Sequence, residues 1–296
     1  MSPAGAFGGR TQHVRPISMR RRAGVIFATL AGFVTLAAVG ALVVLLVEIT
    51  RAGWGRVGPE FLAAYASRMP ERAGIRAPLV GSLWLVGIAA AVAFPVAVGA
   101  AIYLEEYAPR RWWTALVQSN VATLAGVPSI VYGLLGLAVF VQVLGLGRSV
   151  LAGGLTLALL MLPILVIAAQ EAIRAVPDSL REAAYGLGAT RWQVVRHQVL
   201  PLALPGVFTG SILAMSRALG ETAPLILVGA VGFIAFTPTG PLDDFTALPL
   251  QIFSWIQRSQ EGFHEAAAAG IIVLLALLLT LNAAAIVLRS RSETRY

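Results

Sequence analysis

Residues Val176–Pro201 read VPDSLREAAYGLGATRWQVVRHQVLP, a polar stretch that lies between two long apolar runs. Asp178 follows a proline and can accept a hydrogen bond from an orphan amide, which predicts the cap of a short helix over Ser179–Leu187. Thr190 predicts the cap of a second helix, Arg191–Leu200, which the final proline stops. Two short amphipathic helices joined by a glycine-containing elbow predict a compact knob between two membrane spans. From the residues alone, a plain polar connector is the alternative.

The composition around this stretch excludes an ordinary soluble protein. Of 296 residues, 58% are hydrophobic and 12% are charged, and the mean hydropathy is +0.81. Soluble domains carry roughly a quarter charged residues, so the chain is predicted to be an integral membrane protein. All 22 basic residues are arginine, which excludes a Walker A loop and Schiff-base chemistry because both need a lysine. The absence of cysteine excludes disulfides and thiolate chemistry, and the three histidines lie too far apart in the chain to indicate a metal site.

Six apolar segments are long enough for a helical crossing of the bilayer, which takes about 20 residues. They are Ala23–Val47, Pro78–Tyr103, Val121–Leu144, Ser149–Ala169, Leu202–Ala230 and Ala266–Leu288. An even number of spans places both termini on the same side of the membrane. The first segment is longer than the apolar core of a cleaved signal peptide, which has about 7–15 residues, so it is predicted to be an uncleaved helix.

The arginines predict the orientation of the chain, since cytoplasmic loops carry an excess of positive charge. With a cytoplasmic N-terminus, fourteen arginines lie inside and seven outside, and the cluster Arg20–Arg22 directly precedes the first span. The net charge of +8 is therefore interpreted as a topology signal and not as a sign of nucleic-acid binding. The predicted organisation is a basic cytoplasmic segment (1–22), a first span with an outer loop (23–77), a membrane core (78–288) with a cytoplasmic loop (171–201), and a cytoplasmic tail (289–296).

Arg217 and Glu221 are the only charged side chains inside a predicted span. A charge at the centre of a bilayer costs roughly 2.5–3.5 kcal/mol on insertion scales, so neither is expected to face lipid. Their i, i+4 spacing predicts that they lie on one helical face and pair with each other. Arg217 lies about fifteen residues into the span, roughly 22 Å at 1.5 Å per residue, which is too deep for snorkelling. A guanidinium at this depth favours an anion pathway, because its planar fork of donors suits oxyanions. A structural pair that joins two helices is the alternative.

The third span contains Gly126-Val-Pro-Ser129 near its start. Glycine and proline at this point favour a break in the helix that exposes backbone amides. The N-terminus of the following half-helix would attract anions, and Ser129 could donate a further hydrogen bond. A simple kink explains the same residues equally well.

Three further patterns give structural expectations. Gly206 and Gly210 have the spacing of close helix–helix contacts. Glu105 and Glu106 are expected in a solvated turn at the inner surface of the membrane. The run Leu248–Ile256 is apolar and aromatic, which is typical of a helix that lies in the membrane interface.

The polar stretch quoted first resembles the EAA loop of bacterial ABC importer permeases. The matching residues, at the spacing of that motif, are Glu182, Ala183, Ala184, Gly188, Leu200 and Pro201. Gln198 departs from the motif, since the family usually has isoleucine there. The resemblance implies that the loop docks into a groove of a separate ATPase subunit and transmits its closure to the spans. The lack of lysine agrees with ATP hydrolysis by a separate subunit, because this chain cannot hydrolyse ATP by a P-loop mechanism.

Three longer stretches resemble the PstA-type permease of the bacterial high-affinity phosphate importer. They are GVPSIVYGLLG (Gly126–Gly136), SRALGETAP (Ser216–Pro224) and ALPLQIFSW (Ala247–Trp255). The resemblance covers roughly residues 78–288. It implies an all-α polytopic membrane protein with six transmembrane helices and the MetI-like fold of type I ABC importer permeases. It also implies a location in the bacterial plasma membrane and a role in the import of inorganic phosphate, without enzyme activity.

The same resemblance implies the partners of the chain. They are a second permease of the PstC type, an ATPase dimer of the PstB type and an extracytoplasmic phosphate-binding protein of the PstS type. The ATPase subunits would use ATP, and this chain would bind no cofactor. Arg217, Glu221 and Ser129 are the expected residues of the substrate path. Two alternatives stay open: a permease for another oxyanion such as molybdate or sulfate, and an ion-coupled secondary transporter, which the EAA spacing disfavours.

Overall fold

The computed structural model describes residues 17–109, 111–230 and 232–292. Most of the basic segment predicted at 1–22 and the end of the tail predicted at 289–296 therefore lie outside the described residues. The chain divides into two units, residues 1–48 and residues 49–296.

The first helix, α1 (Ile17–Gly53), accounts for all that is described of the first unit and continues into the second. It contains the predicted first span and extends it at the C-terminal end, since Glu48 and Arg51 do not interrupt the helix. Its stretch 24–47 carries no charged side chain, which satisfies the length and polarity that a bilayer crossing needs.

The second unit is helical throughout its regular structure. Its helices are α2 (Pro59–Ala63), α3 (Arg76–Ile102), α4 (Trp112–Ala125), α5 (Ser129–Gly136), α6 (Val150–Arg174), α7 (Asp178–Gly186), α8 (Arg191–Val194), α9 (Leu200–Gly220), α10 (Ala223–Val228), α11 (Leu248–Ile256) and α12 (Glu261–Ser292). Short 3₁₀ turns lie at Trp54–Arg56 and Pro70–Arg72, and π-helical turns at Tyr103–Tyr107, Leu137–Val143 and Val195–Val199. The described residues contain an isolated β-bridge between Ser149 and Asp244 and no strand, which confirms the all-α class.

Five helical segments of the described chain are long and apolar enough to cross a membrane. They are Gly24–Arg56, Arg76–Tyr107, Val150–Arg174, Arg191–Gly220 and Glu261–Val287. A sixth span results if the bent pair Trp112–Ala125 and Ser129–Val143 is counted as one. The two halves of this pair are bent by 104° at Gly126–Pro128. The sequence predicts these residues near the start of the third span, whereas the structure places them between its two helical halves.

The fifth span also differs from its prediction, at both ends. The proline expected to stop the second loop helix, Pro201, lies inside one continuous helix, Arg191–Gly220. The π-helical turn Val195–Val199 precedes it, so α-helical register restarts at Leu200 and Pro201 falls in the first turn, where no amide is needed. The helix then ends at Gly220, ten residues before the predicted end at Ala230.

Helix α3 packs against α6 through a row of alanines at every fourth position. Ala89, Ala93, Ala97 and Ala101 are all fully buried. Larger buried side chains of α6, Leu157, Met161 and Leu165, belong to the same core cluster as the first three alanines. Small residues at this spacing let two helix backbones approach closely, which is how helices associate without a hydrophobic driving force in lipid.

The predicted close contact at Gly206 and Gly210 is confirmed. A Cβ atom built at Gly206 would come within 2.8 Å of the Ala172 Cβ, and one built at Gly210 would collide with the Ala168 Cβ. Both alanines belong to α6, so α9 lies directly against α6 at these positions. Helix α6 is thus held between α3 and α9 through small residues on both sides.

The predicted outer helix Leu248–Ile256 is present as α11, with most of its residues buried and with Phe253 and Ile256 exposed. Trp255 is fully buried, and its ring lies 6.1 Å from that of Phe61, centroid to centroid. Ile75 and Phe263 are buried in the same cluster. One face of α11 therefore packs against this cluster, whereas its position in the membrane interface stays a prediction.

The outer turn before α11 closes the N-terminal end of α6. The Ser149 hydroxyl caps α6 by accepting from the Ala152 amide at 3.3 Å, and the Val150 amide donates to the Asp243 carbonyl at 3.0 Å. The carboxylate of Asp243 accepts hydrogen bonds from the amides of Thr239 and Gly240, which lowers the pKa of this group below its ordinary value.

The contact between α6 and α9 gives a test of the packing. We expect Gly210→Ala to lower the stability of the purified protein by about 1–3 kcal/mol, because the added methyl group overpacks the contact with Ala168. Gly87→Ala is the matched control, since nothing lies within 4 Å of a Cβ at Gly87, which is also in a long helix. The midpoint of thermal unfolding in detergent reports both effects. A Gly210→Ala protein that unfolds at or above the wild-type temperature would contradict the packing.

Candidate functional site

The charged pair of the fifth span lies where α9 ends. Arg217 is in the last turn of the helix, and the backbone leaves helical conformation at Glu221, with φ −77° and ψ 127°. The Arg217 Nε lies 3.5 Å from the Glu221 Oε1. The predicted pair is therefore present, but not on one helical face, because Glu221 is the first residue beyond the helix. The bend that follows allows α10 to start at Ala223.

Arg217 is half-exposed, whereas its partner is mostly covered. The exposed fractions of the two side chains are 46% for Arg217 and 17% for Glu221. Because the spanning helix ends at Gly220, Arg217 lies near the end of the span, whereas the longer predicted span placed it deep inside. Its exposed face is open to water, an anion or another protein chain. The fork of donors on that face can bind an oxyanion.

A second polar contact holds the end of α9 in place. The Ser216 hydroxyl donates to the Asn282 Oδ1 at 2.9 Å, joining α9 to α12. Sequence reasoning did not identify this pair, because an uncharged hydroxyl and an amide inside two spans do not stand out by charge. The signal available was Asn282 itself, a strong polar side chain in an otherwise apolar run.

Helix α5, which follows the break in the third span, packs against the segment after Glu221. A Cβ built at Gly133 would come within 2.6 Å of the Pro224 Cα. The Tyr132 hydroxyl donates to the Leu124 carbonyl at 2.8 Å, which ties the two halves of the bent pair together. Ser129 is partly exposed in the first turn of α5, one helical turn before Gly133. The structure thus places α5, the helix that begins at Ser129, against the segment that follows the charged pair. Among the described contacts, none joins the Ser129 side chain itself to that segment.

The loop predicted at 171–201 forms its first short helix as α7, whereas the second helix begins at Arg191 as predicted but continues into the fifth span. Thr190 caps α8: its hydroxyl accepts from the Gln193 amide at 3.4 Å, and its own amide donates to the Gln193 Oε1 at 2.8 Å. The predicted cap at Asp178 is wrong. Pro177 takes the cap position, so Asp178 is already in the first turn of α7 and accepts a hydrogen bond from Arg181 at 2.8 Å.

The residues that resemble the EAA motif divide into an inner and an outer set. Ala184 packs against the buried cluster at the base of the loop, which includes Ile173 and Val194. Glu182 and Ala183 are exposed. Gly188 has a φ of +85°, in the left-handed region, and makes the turn between the two helices. Leu200 and Pro201, at the start of α9, are partly buried.

A groove of about 420 Å³ lies beside this turn, between α7 and the start of the fifth span. It is lined by Ala184, Leu187, Gly188, Ala189, Gln193, Val194, His197 and Gln198. Leu187 stands at its rim with 90% of its surface exposed, and Leu180, Tyr185 and Trp192 are exposed nearby on the same loop. Several exposed apolar side chains on one polar loop are typical of a surface that binds another protein.

The acidic pair at the end of α3 is not a solvated turn. Glu105 forms an ion pair with Arg174 at 2.7 Å, and Glu106 forms one with Arg181 at 3.1 Å. The prediction was wrong because the partners are 69 and 75 residues away in the chain. No local pattern relates residues so far apart.

Comparison with known proteins gives consistent matches over most of the chain. Residues 93–294 match the family described as binding-protein-dependent transport system inner membrane component. The chain is similar to the phosphate transport system permease protein PstA 1 of Mycobacterium tuberculosis (strain CDC 1551 / Oshkosh), with 34% identity over 304 aligned positions that cover 98% of each protein. It is 37% identical to the phosphate transport system permease protein PstA of Mycobacterium leprae, over 89% of this chain and 88% of the relative.

Solved structures show the same fold at low sequence identity. A chain of the bacterial alginate ABC transporter, solved in complex with an alginate pentasaccharide-bound periplasmic protein, has a TM-score of 0.64 at 18% identity and covers 93% of this chain and 98% of that chain. A chain of the MetNI methionine ABC transporter in an inward-facing conformation has a TM-score of 0.60 at 17% identity, over 75% of this chain and 96% of that chain. The helices described above therefore have the architecture of ABC importer permeases.

The turn at Gly188 can be tested without reference to any activity. We expect Gly188→Ala to strain the loop by about 1–2 kcal/mol, because an L-residue at positive φ brings its Cβ too close to a carbonyl. Opening of the loop should then make trypsin cleave after Arg191 about 5- to 30-fold faster. Gly186→Ala is the matched control, since Gly186 lies two residues away in helical conformation with open space around it. Equal cleavage rates in the two variants would show that the positive φ carries no strain.

Proposed function

This chain belongs to the family of binding-protein-dependent transport system inner membrane components, and from that membership we propose that it is a permease subunit of an ATP-driven importer of inorganic phosphate. It is a multi-pass membrane protein, a transport subunit and not an enzyme. The relatives named phosphate transport permeases cover nearly the whole chain, and this supports phosphate over other oxyanions.

The half-exposed Arg217 is the observation in the structure that supports an anion path best. Its guanidinium is paired on one side with Glu221 and open on the other. Glu221 orients the guanidinium and offsets part of its charge, so that a phosphate could bind and leave again. We place the path between this chain and a second permease of the PstC type, because the open face of Arg217 needs a water-lined or protein surface opposite it. Ser129, at the start of α5, supplies a neutral donor beside that path.

The cytoplasmic loop is the proposed docking surface for a dimer of ATPase subunits of the PstB type. Leu187 and the other exposed apolar side chains of the loop would insert into a groove of the ATPase, with Glu182 and Ala183 at the contact. Ala184, Gly188, Leu200 and Pro201 hold the loop and join it to α9. In this arrangement the partner subunits use ATP, and this chain binds no cofactor.

The position of this loop sets the proposed orientation in the bacterial plasma membrane. An ATPase subunit is cytoplasmic, so the loop and, with six spans, both termini are cytoplasmic. The opposite face carries the outer loop and α11, and it would receive phosphate from an extracytoplasmic binding protein of the PstS type. The proposed organisation retains the segments 1–22, 23–77, 78–288 and 289–296, with the coupling loop at 171–201.

The anion path predicts a large effect of a single substitution. We expect Arg217→Gln to lower ATP-dependent uptake of radiolabelled phosphate by about 10- to 100-fold, because a hydrogen bond to a charged group contributes about 1.5–3 kcal/mol. Arg217→Lys should be intermediate, since it keeps the charge but loses the planar fork. Uptake is measured in vesicles that contain the complete complex. The control is Arg68→Gln, which removes an exposed arginine from the outer loop.

Assembly of the complex and its ATPase activity are measured on the same samples. Lost uptake in an assembled, ATP-hydrolysing complex would support the anion path. Wild-type uptake by Arg217→Gln would contradict it. Failure of Arg217→Gln alone to assemble would favour the alternative in which the charged pair only joins helices.

A further inference from the structure

Three consecutive residues in the π-helical turn that follows α3 each contact an arginine from a different part of the coupling loop. The pairs are Glu105 with Arg174, Glu106 with Arg181, and Tyr107 with Arg191. We call these six residues the clamp. The arginines lie at the end of α6, within α7 and at the start of α8, so the clamp reaches the loop before, inside and after its first helix.

The central pair, Glu106 with Arg181, is the most buried part of the clamp. Only 8% of the Glu106 side chain and 14% of the Arg181 side chain are exposed. Arg181 donates to the Glu106 Oε1 from Nε at 3.2 Å and from Nη2 at 3.1 Å. It also donates to the carbonyls of Val176 at 2.6 Å and Ile173 at 2.8 Å, and to the Asp178 carboxylate at 2.8 Å. All five donors of this guanidinium are therefore used.

The outer pairs hold the two ends of the loop. Glu105 accepts from the Nη2 of Arg174 at 2.7 Å and from its Nε at 2.9 Å, a two-point contact, and from the Gln170 amide at 2.7 Å. The Cζ of Arg191 lies 5.5 Å from the centre of the Tyr107 ring, within the range of a cation–π contact. The π-helical turn Tyr103–Tyr107 presents these neighbouring side chains to the loop.

We propose that the clamp is a second mechanical connection from the coupling loop to the membrane core, through α3. The chain itself connects the loop only to α6 and α9. The apolar cluster at the base of the loop already includes Ala101 of α3. The clamp adds charged and cation–π contacts to the turn that follows α3, so a displacement of the loop moves the cytoplasmic ends of all three packed helices together. The proposal rests on the function proposed above. The members of the clamp are positioning residues: they touch neither phosphate nor ATP.

The chain offers a matched pair of substitutions on one arginine. Glu106→Gln removes the charge that joins Arg181 to α3, whereas Asp178→Asn removes a charge that joins the same arginine only to its own loop. Phosphate transported per ATP hydrolysed is measured in the complete complex. We expect Glu106→Gln to lower this ratio at least about fivefold, the lower end of usual coupling between sites. Asp178→Asn should keep the wild-type ratio.

A distance measurement separates transmission from simple stabilisation. The chain has no cysteine. Spin labels can therefore be placed at Tyr103→Cys, in the turn that follows α3, and at Ser179→Cys on α7, both exposed positions, in a complex whose other subunits lack cysteine. With the clamp intact, the label distance should be the same with and without ATP. With Glu106→Gln added, ATP should lengthen or broaden it.

Each outcome decides for or against the clamp. An unchanged transport ratio in Glu106→Gln, an equal loss in Asp178→Asn, or an ATP-dependent label distance with the clamp intact would overturn it. If Glu106→Gln fails to assemble, the label distance with the intact clamp still gives the decision. If the complex hydrolyses ATP and transports no phosphate, the proposed function fails, and the ATP response of the label distance still tests the clamp separately.

Discussion

Close packing of α6 between α3 and α9 is the constraint on which the rest of the second unit depends. Alanines on α3 and glycines on α9 leave room for the backbone of α6 on both sides. Small residues are needed because lipid is as apolar as a leucine side chain, so helices gain more from close van der Waals contact than from hiding apolar surface. The same packing brings the C-terminal ends of α3 and α6 together, and without it Glu105 could not reach Arg174.

One continuous helix joins the two parts of the candidate site. The helix runs roughly 39 Å, at 1.5 Å per residue, from Arg191 at its start to Arg217 near its opposite end. The helix stays continuous through Pro201 because a π-helical turn directly precedes the proline and α-helical register restarts at Leu200. In the proposed function, this helix would pass a motion of the loop to Arg217, the residue that we assign to the anion path. The bend after Gly220 then turns the chain so that Glu221 faces Arg217 and α10 packs on α5.

Groups left open in the single chain indicate where partners belong. Arg217 is half-exposed near the end of its spanning helix, and Leu187 is exposed on the loop between α6 and α9. The first needs a polar surface and the second an apolar one, because each is costly in the solvent that would otherwise surround it. The buried Glu106–Arg181 pair shows the opposite situation, since every donor of its arginine is satisfied within the chain. It thus belongs to the fold of this subunit and not to a contact with another.

The sequence by itself determined the features that depend on neighbours a few residues apart. Membrane class, the number of apolar segments, the cap at Thr190, the close contact at Gly210 and the partnership of Arg217 with Glu221 follow from composition or from helical spacing. Only the tertiary structure decided the 104° bend of the third span, the continuity of α9 through Pro201, the burial of α11 and the pairing of Glu106 with Arg181. Most of these features depend on which segments pack together across 60 or more residues of chain. The continuity of α9 depends on a local shift of helical register before Pro201. Hydrophobic periodicity carries no information about either, because it specifies which face of a helix is apolar and not what covers that face.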